Sequence, residues 1–417
     1  MLYFPQNESR FAVPTALGRT NPDLVSWEDG MGEDSLKVTV SSMRGLDQHP
    51  ARCFDYEFED ALVESMGAEV TTLRGRSRPG GRLPRMMSRL LRKAGYDEHV
   101  HTQVHADSVA PDQDIFLFNC LTIHDVASVQ KIPNWRENSR FTVCWIKEFF
   151  VGTQHDPAGL ALLEQFDLVI LSFEQSVEAL SKLVRGPKIV YLPLGIDTIR
   201  FCPYPNPPEQ KLDVFWLGRS EPELHSAIQR QANVDGLYYV FNTTFPAQVA
   251  HPAEHRAQRI REMQRSRLFV VMPAKFNEPE VTLGQEEAGF RYFEGAAAGA
   301  VLLGRAPDVK SFSELFPWRD SVIPLPDNAS SVGPFVADLL TQHDRLDRIR
   351  RESVRHCLLH HDWAYRMLSM CELLGFSPAR AHKMLAPRLR TLQDLAELAV
   401  PSRPRALGTR RKVGAER

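Results

Sequence analysis

The chain has 417 residues, 43% of them apolar and 24% charged, with a formal net charge of −2 at neutral pH. That length is too great for one ordinary domain and suits two, each burying its own core. The near-neutral balance excludes a whole-molecule attraction to nucleic acid, and no run of about 18 apolar residues offers a membrane span.

From the N-terminus, MLYFPQNESRF lacks a basic region followed by an apolar core, so no signal peptide is expected and a cytoplasmic location follows. Residues 1–35 show no period and read as an arm or lid. Short β-rich runs then alternate with helical segments: LKVTVSSM (36–43), AEVTTL (68–73), DIFLFNCLTI (114–123), FTVCWI (141–146), FDLVILSF (166–173) and KIVYLPLG (188–195). They are nearly continuous in Val, Ile, Leu and Phe, the pattern of strands buried on both faces of a parallel sheet. Tyr56 to Met66 and Ser176 to Val184 read as helices between them. Residues 193–211 carry five prolines and mark a linker. The alternation restarts with LDVFWLG (212–218), GLYYVFN (236–242), RLFVVMP (267–273), AVLLG (300–304) and SVIPLP (321–326), with helices expected at 250–265, 287–298 and 331–356. Two βα arrays imply two doubly wound α/β domains, 36–195 and 212–345, joined by 196–211, with ligands at the strand carboxyl ends. Helices over 346–385 are expected to pack back across both. The basic tail 401–417 reads as disordered. The six cysteines form no CxxC pair, and four of them sit in apolar surroundings, so they read as buried reduced thiols.

The segment richest in chemistry is GQEEAGFRYFEGAAAGAVLLGRAPD (284–308), where Glu286 and Glu294 stand eight residues apart. A helix beginning near Gly289 points its first-turn amides outward, which suits a diphosphate. Glu294 can accept two hydroxyl hydrogen bonds, as a ribose diol offers, and Glu286 can do the same for a sugar. The small residues Gly295 to Gly299 allow close approach of a backbone or flat ligand.

This segment resembles the Glu-x7-Glu signature of the group 1 glycosyltransferases, in particular a subgroup reading R-x-FE-x-x-A-x-G-x-x-LL, matched by FRYFEGAAAGAVLLG, with HHDWAYR (360–366) similar to its H-x-W-x-x-R. KIVYLPLGIDTIRFCP (188–203) resembles the family's hinge strand and G-x-D-x-x-x-F-x-P, and VFWLGR (214–219) its strand ending in G-R. The resemblance implies a GT-B fold, two Rossmann-like domains facing a cleft. It implies metal-independent transfer of a sugar from a nucleoside diphosphate donor to an acceptor hydroxyl, as in polysaccharide or glycoconjugate synthesis. The donor is the substrate, and no cofactor is expected. Glu286 would contact the sugar, Glu294 the ribose, and Gly218, Arg219 and Gly289 the diphosphate. A lipid-linked acceptor at the inner membrane face is among those the resemblance allows.

The chain departs from that pattern twice. No lysine follows Arg219 at the family's spacing, and Arg291 is the replacement cation the sequence offers. The family's histidine after the strand matching FTVCW is absent, and Lys147 and Glu148 stand there to share a polar role. A non-catalytic scaffold of the same fold and a sugar-nucleotide epimerase are the rival functions.

Other features weigh less. His99, His101 and His105 have metal-ligand spacing, yet no carboxylate cluster completes a site beyond Asp97 and Glu98, and no metal is expected. His124 and His155 are minor candidates for a base. His360, His361 and Trp363 read as packing. Arg74 to Lys93 holds eight basic residues and no acid. It suits an anionic membrane or an ordinary amphipathic helix equally, and lacks the interleaved aromatics of a nucleic-acid surface.

Overall fold

The computed structural model describes residues 35–76, 103–153, 157–242 and 248–400. The N-terminal arm, the tail, His99, His101, His155 and Ser77 to Lys93 of the basic segment lie outside them.

The first sheet has seven strands: β1 (Val38–Gly45), β2 (Glu69–Arg76), β3 (Gln103–His105), β4 (Gln113–Thr122), β5 (Ser139–Glu148), β6 (Leu168–Leu171) and β7 (Lys188–Tyr191). Their order is β3-β2-β1-β4-β5-β6-β7, and every pairing is parallel except β2 with β3. The second has β8 (Leu212–Trp216), β9 (Tyr239–Phe241), β10 (Ser266–Val271), β11 (Val301–Gly304) and β12 (Ile323–Pro324), all parallel, in the order β12-β11-β10-β8-β9. The chain runs outward from the middle of each sheet in both directions, so each has a switch point, between β1 and β4 and between β8 and β10. These are two doubly wound domains, as the β-rich runs imply.

Helices α1 (Arg52–Met66), α2 (Pro157–Leu163) and α3 (Ser176–Leu183) cover the first sheet, and α4 (Thr198–Phe201) interrupts the Pro-rich linker. The second carries α5 (Pro222–Asp235), α6 (Pro252–Gln264), α7 (Pro279–Thr282), α8 (Phe290–Ala298), α9 (Lys310–Leu315), α10 (Ala329–Thr341) and α11 (His343–His360), followed by α12 (Trp363–Leu373) and α13 (Pro378–Leu398). The single helix expected over 331–356 is two, because Gln342 leaves helical geometry at ψ 57°. Helix α1 starts four residues before the expected Tyr56.

Strand alternation explains the layers. In β4, Ile115 and Leu117 face one side, and Phe116, Phe118 and Cys120 the other. The first side belongs to a core that continues without a break through Trp363 into α8 and β10 of the second domain. Phe54 of α1 stacks on Phe290 of α8, ring centroids 5.0 Å apart, and Trp363 packs on Phe54, Phe58 and Trp145. The domains therefore share apolar packing along α1. All six cysteines are free and buried.

Candidate donor site

The switch point of the second sheet is where its physics places a ligand. After β8 the chain turns through Gly218, whose φ of 95° favours glycine, into Arg219. After β10 comes Lys275, held at φ 51°. Both side chains converge on one carboxylate. Arg219 Nη2 lies 2.5 Å from Glu278 Oε1, and Lys275 Nζ 3.8 Å from Glu278 Oε2. Lys275 Nζ also stands over the Phe150 ring of the opposite domain, 5.1 Å from its centre. The family spacing points to a lysine close after Arg219 in the chain, whereas Lys275 comes from the turn after the adjacent strand β10. A lysine directly after a buried strand, in VVMPAK, was the available signal.

Beside this pair begins α8. Gly289 is its N-cap and supplies no side-chain cap, and residues 288–291 are only partly buried. Its first amides sit at the cleft rim with the positive end of the helix, a place for an anion. The small residues behind it serve the fold. A Cβ on Gly295 would come within 2.5 Å of Phe269 and 2.6 Å of Leu302, so the close approach is to the sheet rather than to a flat ligand.

Glu294 is fully buried, and both oxygens are engaged: Oε1 accepts from Arg256, and Oε2 from Arg291 Nη1 at 2.5 Å. Burial pushes its carboxyl up, but Arg291 and Arg256 more than offset this and hold it below the usual carboxylate range. Arg291, expected to meet the diphosphate, is in this state the partner of Glu294. Arg256 was not foreseen, since it lies 38 residues away in an Arg-rich helix.

Glu286 is partly exposed. It accepts from the Asp308 amide at 2.9 Å and lies 3.5 Å from Arg305, holding the loop after β11. Its neighbours seal the loop to the first domain. Gln285 Nε2 donates to Ser176 Oγ at 2.7 Å, its Oε1 accepts from the Val151 amide at 3.1 Å, and Glu287 accepts from the Gln175 amide at 3.0 Å. Burial pushes the Glu287 carboxyl up to about 7.

Lys147 and Glu148 do not share a role. Adjacent strand residues point to opposite faces. Lys147 is 1% exposed and points into the first domain, where Nζ donates to Asn119 Oδ1 at 2.9 Å and stands 3.9 Å from the Trp145 ring centre. Burial pulls it down to about 7. It cannot reach a cleft substrate. Glu148 stands on the other face, within the field of Lys275 and Arg219. Burial raises its carboxyl, and those two cations partly counter the rise.

Two of the remaining sequence candidates pack in the core. His361 and Trp363 are buried, and Arg366 clamps the linker through the carbonyls of Pro193 and Leu194 at 2.9 and 3.1 Å. His124 is exposed. Arg74 pairs with Asp107 at 3.1 Å. Among the described residues no cluster of metal-ligating side chains is found, and no helix is long and apolar enough to cross a membrane.

No curated protein matches the chain. Solved structures similar to it include a mutant of S. aureus TarM in complex with fondaparinux, alpha-GlcNAc-glycerol and UDP, at 9% identity over 64% of this chain and 56% of that one, with a TM-score of 0.42. The chain thus spans little more than half the length of TarM. An alpha-glucosyltransferase in complex with UDP is similar at 12% identity over 82% of this chain and 100% of that one, TM-score 0.48. The UDP-forming alpha,alpha-trehalose-phosphate synthase of Burkholderia vietnamiensis is similar at 11% identity over 84% and 99%, TM-score 0.46. Residues 227–372, which hold Lys275, the Glu-x7-Glu segment and Trp363, match the glycosyl transferase-like family model. Residues 227–372 are therefore similar to a glycosyltransferase-like domain, and they lie in a chain of two Rossmann-like domains.

Proposed function

We propose that the protein transfers a sugar from a nucleoside diphosphate donor to an acceptor hydroxyl. The observation that carries this reading is the convergence of Arg219 and Lys275 on Glu278 at the switch point, beside the uncapped first turn of α8. A donor diphosphate would displace Glu278 from the two cations and take the α8 amides as further donors. The bond from the anomeric carbon to the phosphate oxygen breaks with its electron pair on the diphosphate, and fixed positive charge stabilises that leaving group. A new bond forms from the acceptor oxygen to the anomeric carbon. Glu148, with a carboxyl raised by burial, would orient the acceptor hydroxyl and take its proton. Glu286 would contact the sugar and Glu294 the ribose.

The reading includes a cytoplasmic protein. Lipid-linked acceptors, and membrane contact through the basic segment Arg74–Lys93, belong to it as proposals. UDP, GDP and their sugars, tested by calorimetry and then for turnover, decide the matter. Absence of binding by every diphosphate would sink it. A non-catalytic binding protein of the same fold is the second reading, favoured by the sealing of Glu294 beneath two arginines. Tight donor binding with no transfer to any acceptor and no slow hydrolysis would select it.

A further inference from the structure

Four charged side chains, three of them buried, form one ladder across the domain boundary. Glu57 of α1 accepts from Arg256 Nε at 2.6 Å, Arg256 Nη1 donates to Glu294, and Glu294 accepts from Arg291. The two arginines are not equivalent. The Arg256 side chain is 9% exposed and lies over the Phe201 ring, 4.9 Å from its centre. The Arg291 side chain is 27% exposed at the cleft edge. Arg291 is the more exposed of the two and the one a ligand at the surface can reach. Arg256 cannot leave its partners without stranding buried charge. Its Nη2 is buried without an acceptor among the described residues. The other end of the ladder is fixed as well. Glu57 Oε1 accepts from the Asp197 amide at 2.9 Å and faces the Trp363 indole N–H at 3.4 Å.

We propose that Glu57, on the opposite domain, is a positioning residue for the donor nucleotide: it locks Arg256, so that Glu294 stays ionised and aimed when Arg291 turns from it to the donor's phosphates. The inference rests on the donor reading above. Glu294 has no solvent to support its charge, so once Arg291 departs only Arg256 does. Each carboxylate oxygen then keeps a lone pair for a ribose hydroxyl. Without the Glu57 carboxylate, Arg256 has one anchor instead of two, and Glu294 loses its fixed direction.

The test measures ribose discrimination. UDP, GDP, their 2′-deoxy counterparts and the matching nucleosides are titrated calorimetrically into the full chain, as wild type, Glu57→Gln and Arg256→Lys. Wild type is expected to prefer the ribonucleotide by about tenfold, roughly one charge-assisted hydrogen bond. Glu57→Gln should keep its preference for diphosphate over nucleoside while the ribose ratio falls to about twofold. An unchanged ratio in Glu57→Gln overturns the inference alone. Wild type that binds no diphosphate overturns the donor reading, and this inference with it. If Glu57→Gln shows no cooperative melt, Arg256→Lys carries the same comparison, since it keeps the charge and loses the two-pronged grip.

Discussion

Lys275→Gly separates the ligand role of Lys275 from its structural one. The residue sits at φ 51°, a conformation that costs a non-glycine residue about 1–2 kcal/mol. Glycine removes that strain and gives back about 0.5–1 kcal/mol in unfolded-state entropy. The ion pair lost to Glu278, 3.8 Å long and partly solvated, is worth about 0–1 kcal/mol. Stability should therefore stay within about 1 kcal/mol of wild type. Binding should not. A phosphate charge about 4 Å from the ammonium gains about 4 kcal/mol at an effective dielectric near 20. Glu278 already supplies part of that interaction in the free protein, which leaves about 2 kcal/mol, or about thirtyfold in Kd. Calorimetry with UDP and GDP reads the loss, and the matching nucleosides serve as control because they carry no phosphate. Wild-type diphosphate affinity in Lys275→Gly would refute the reasoning, as would an equal loss for the nucleosides.

Three other outcomes are expected. Glu294→Ala leaves two guanidiniums facing each other, should cost about 3–5 kcal/mol in denaturant melts, and should abolish nucleotide binding; wild-type binding and transfer would remove Glu294 from the donor site. Glu287 has a folded-state pKa of about 7 against an ordinary 4.5, so the folded state holds a proton the unfolded chain has lost between those values. Stability should accordingly fall as pH rises through that window, by up to about 3 kcal/mol, and Glu287→Gln should flatten this slope in denaturation at pH 5 and 8. Identical slopes would show that the buried carboxyl does not titrate there. Lys147→Met should leave nucleotide affinity and turnover within about twofold and hold or raise the melting temperature, since it replaces a costly buried amine with an apolar chain. A hundredfold loss of turnover at unchanged stability would restore a catalytic role to Lys147.

The sequence by itself determined the local and periodic features. Continuous apolar runs such as DIFLFNCLTI read as strands covered on both faces, and their alternation with helices implied two doubly wound domains. Gly289, the helix behind it and the Glu286–Glu294 spacing were legible because they lie within one turn-and-helix segment. The tertiary structure decided everything that depends on distant parts of the chain meeting. Lys275 joins Arg219 because β10 lies beside β8, an order that no spacing in the sequence records. Glu294 is claimed by Arg256, and Arg256 by Glu57 of the other domain, because three helices pack against one another at the boundary. Lys147 and Glu148, neighbours in sequence, are parted by the strand's alternation, which was readable in the period of FTVCWIKE but needed the burial of each face to show that the lysine points inward. Pattern reveals elements because hydrophobic periodicity is local. A site assembled across two sheets depends on strand order and domain packing, and these come from long-range burial.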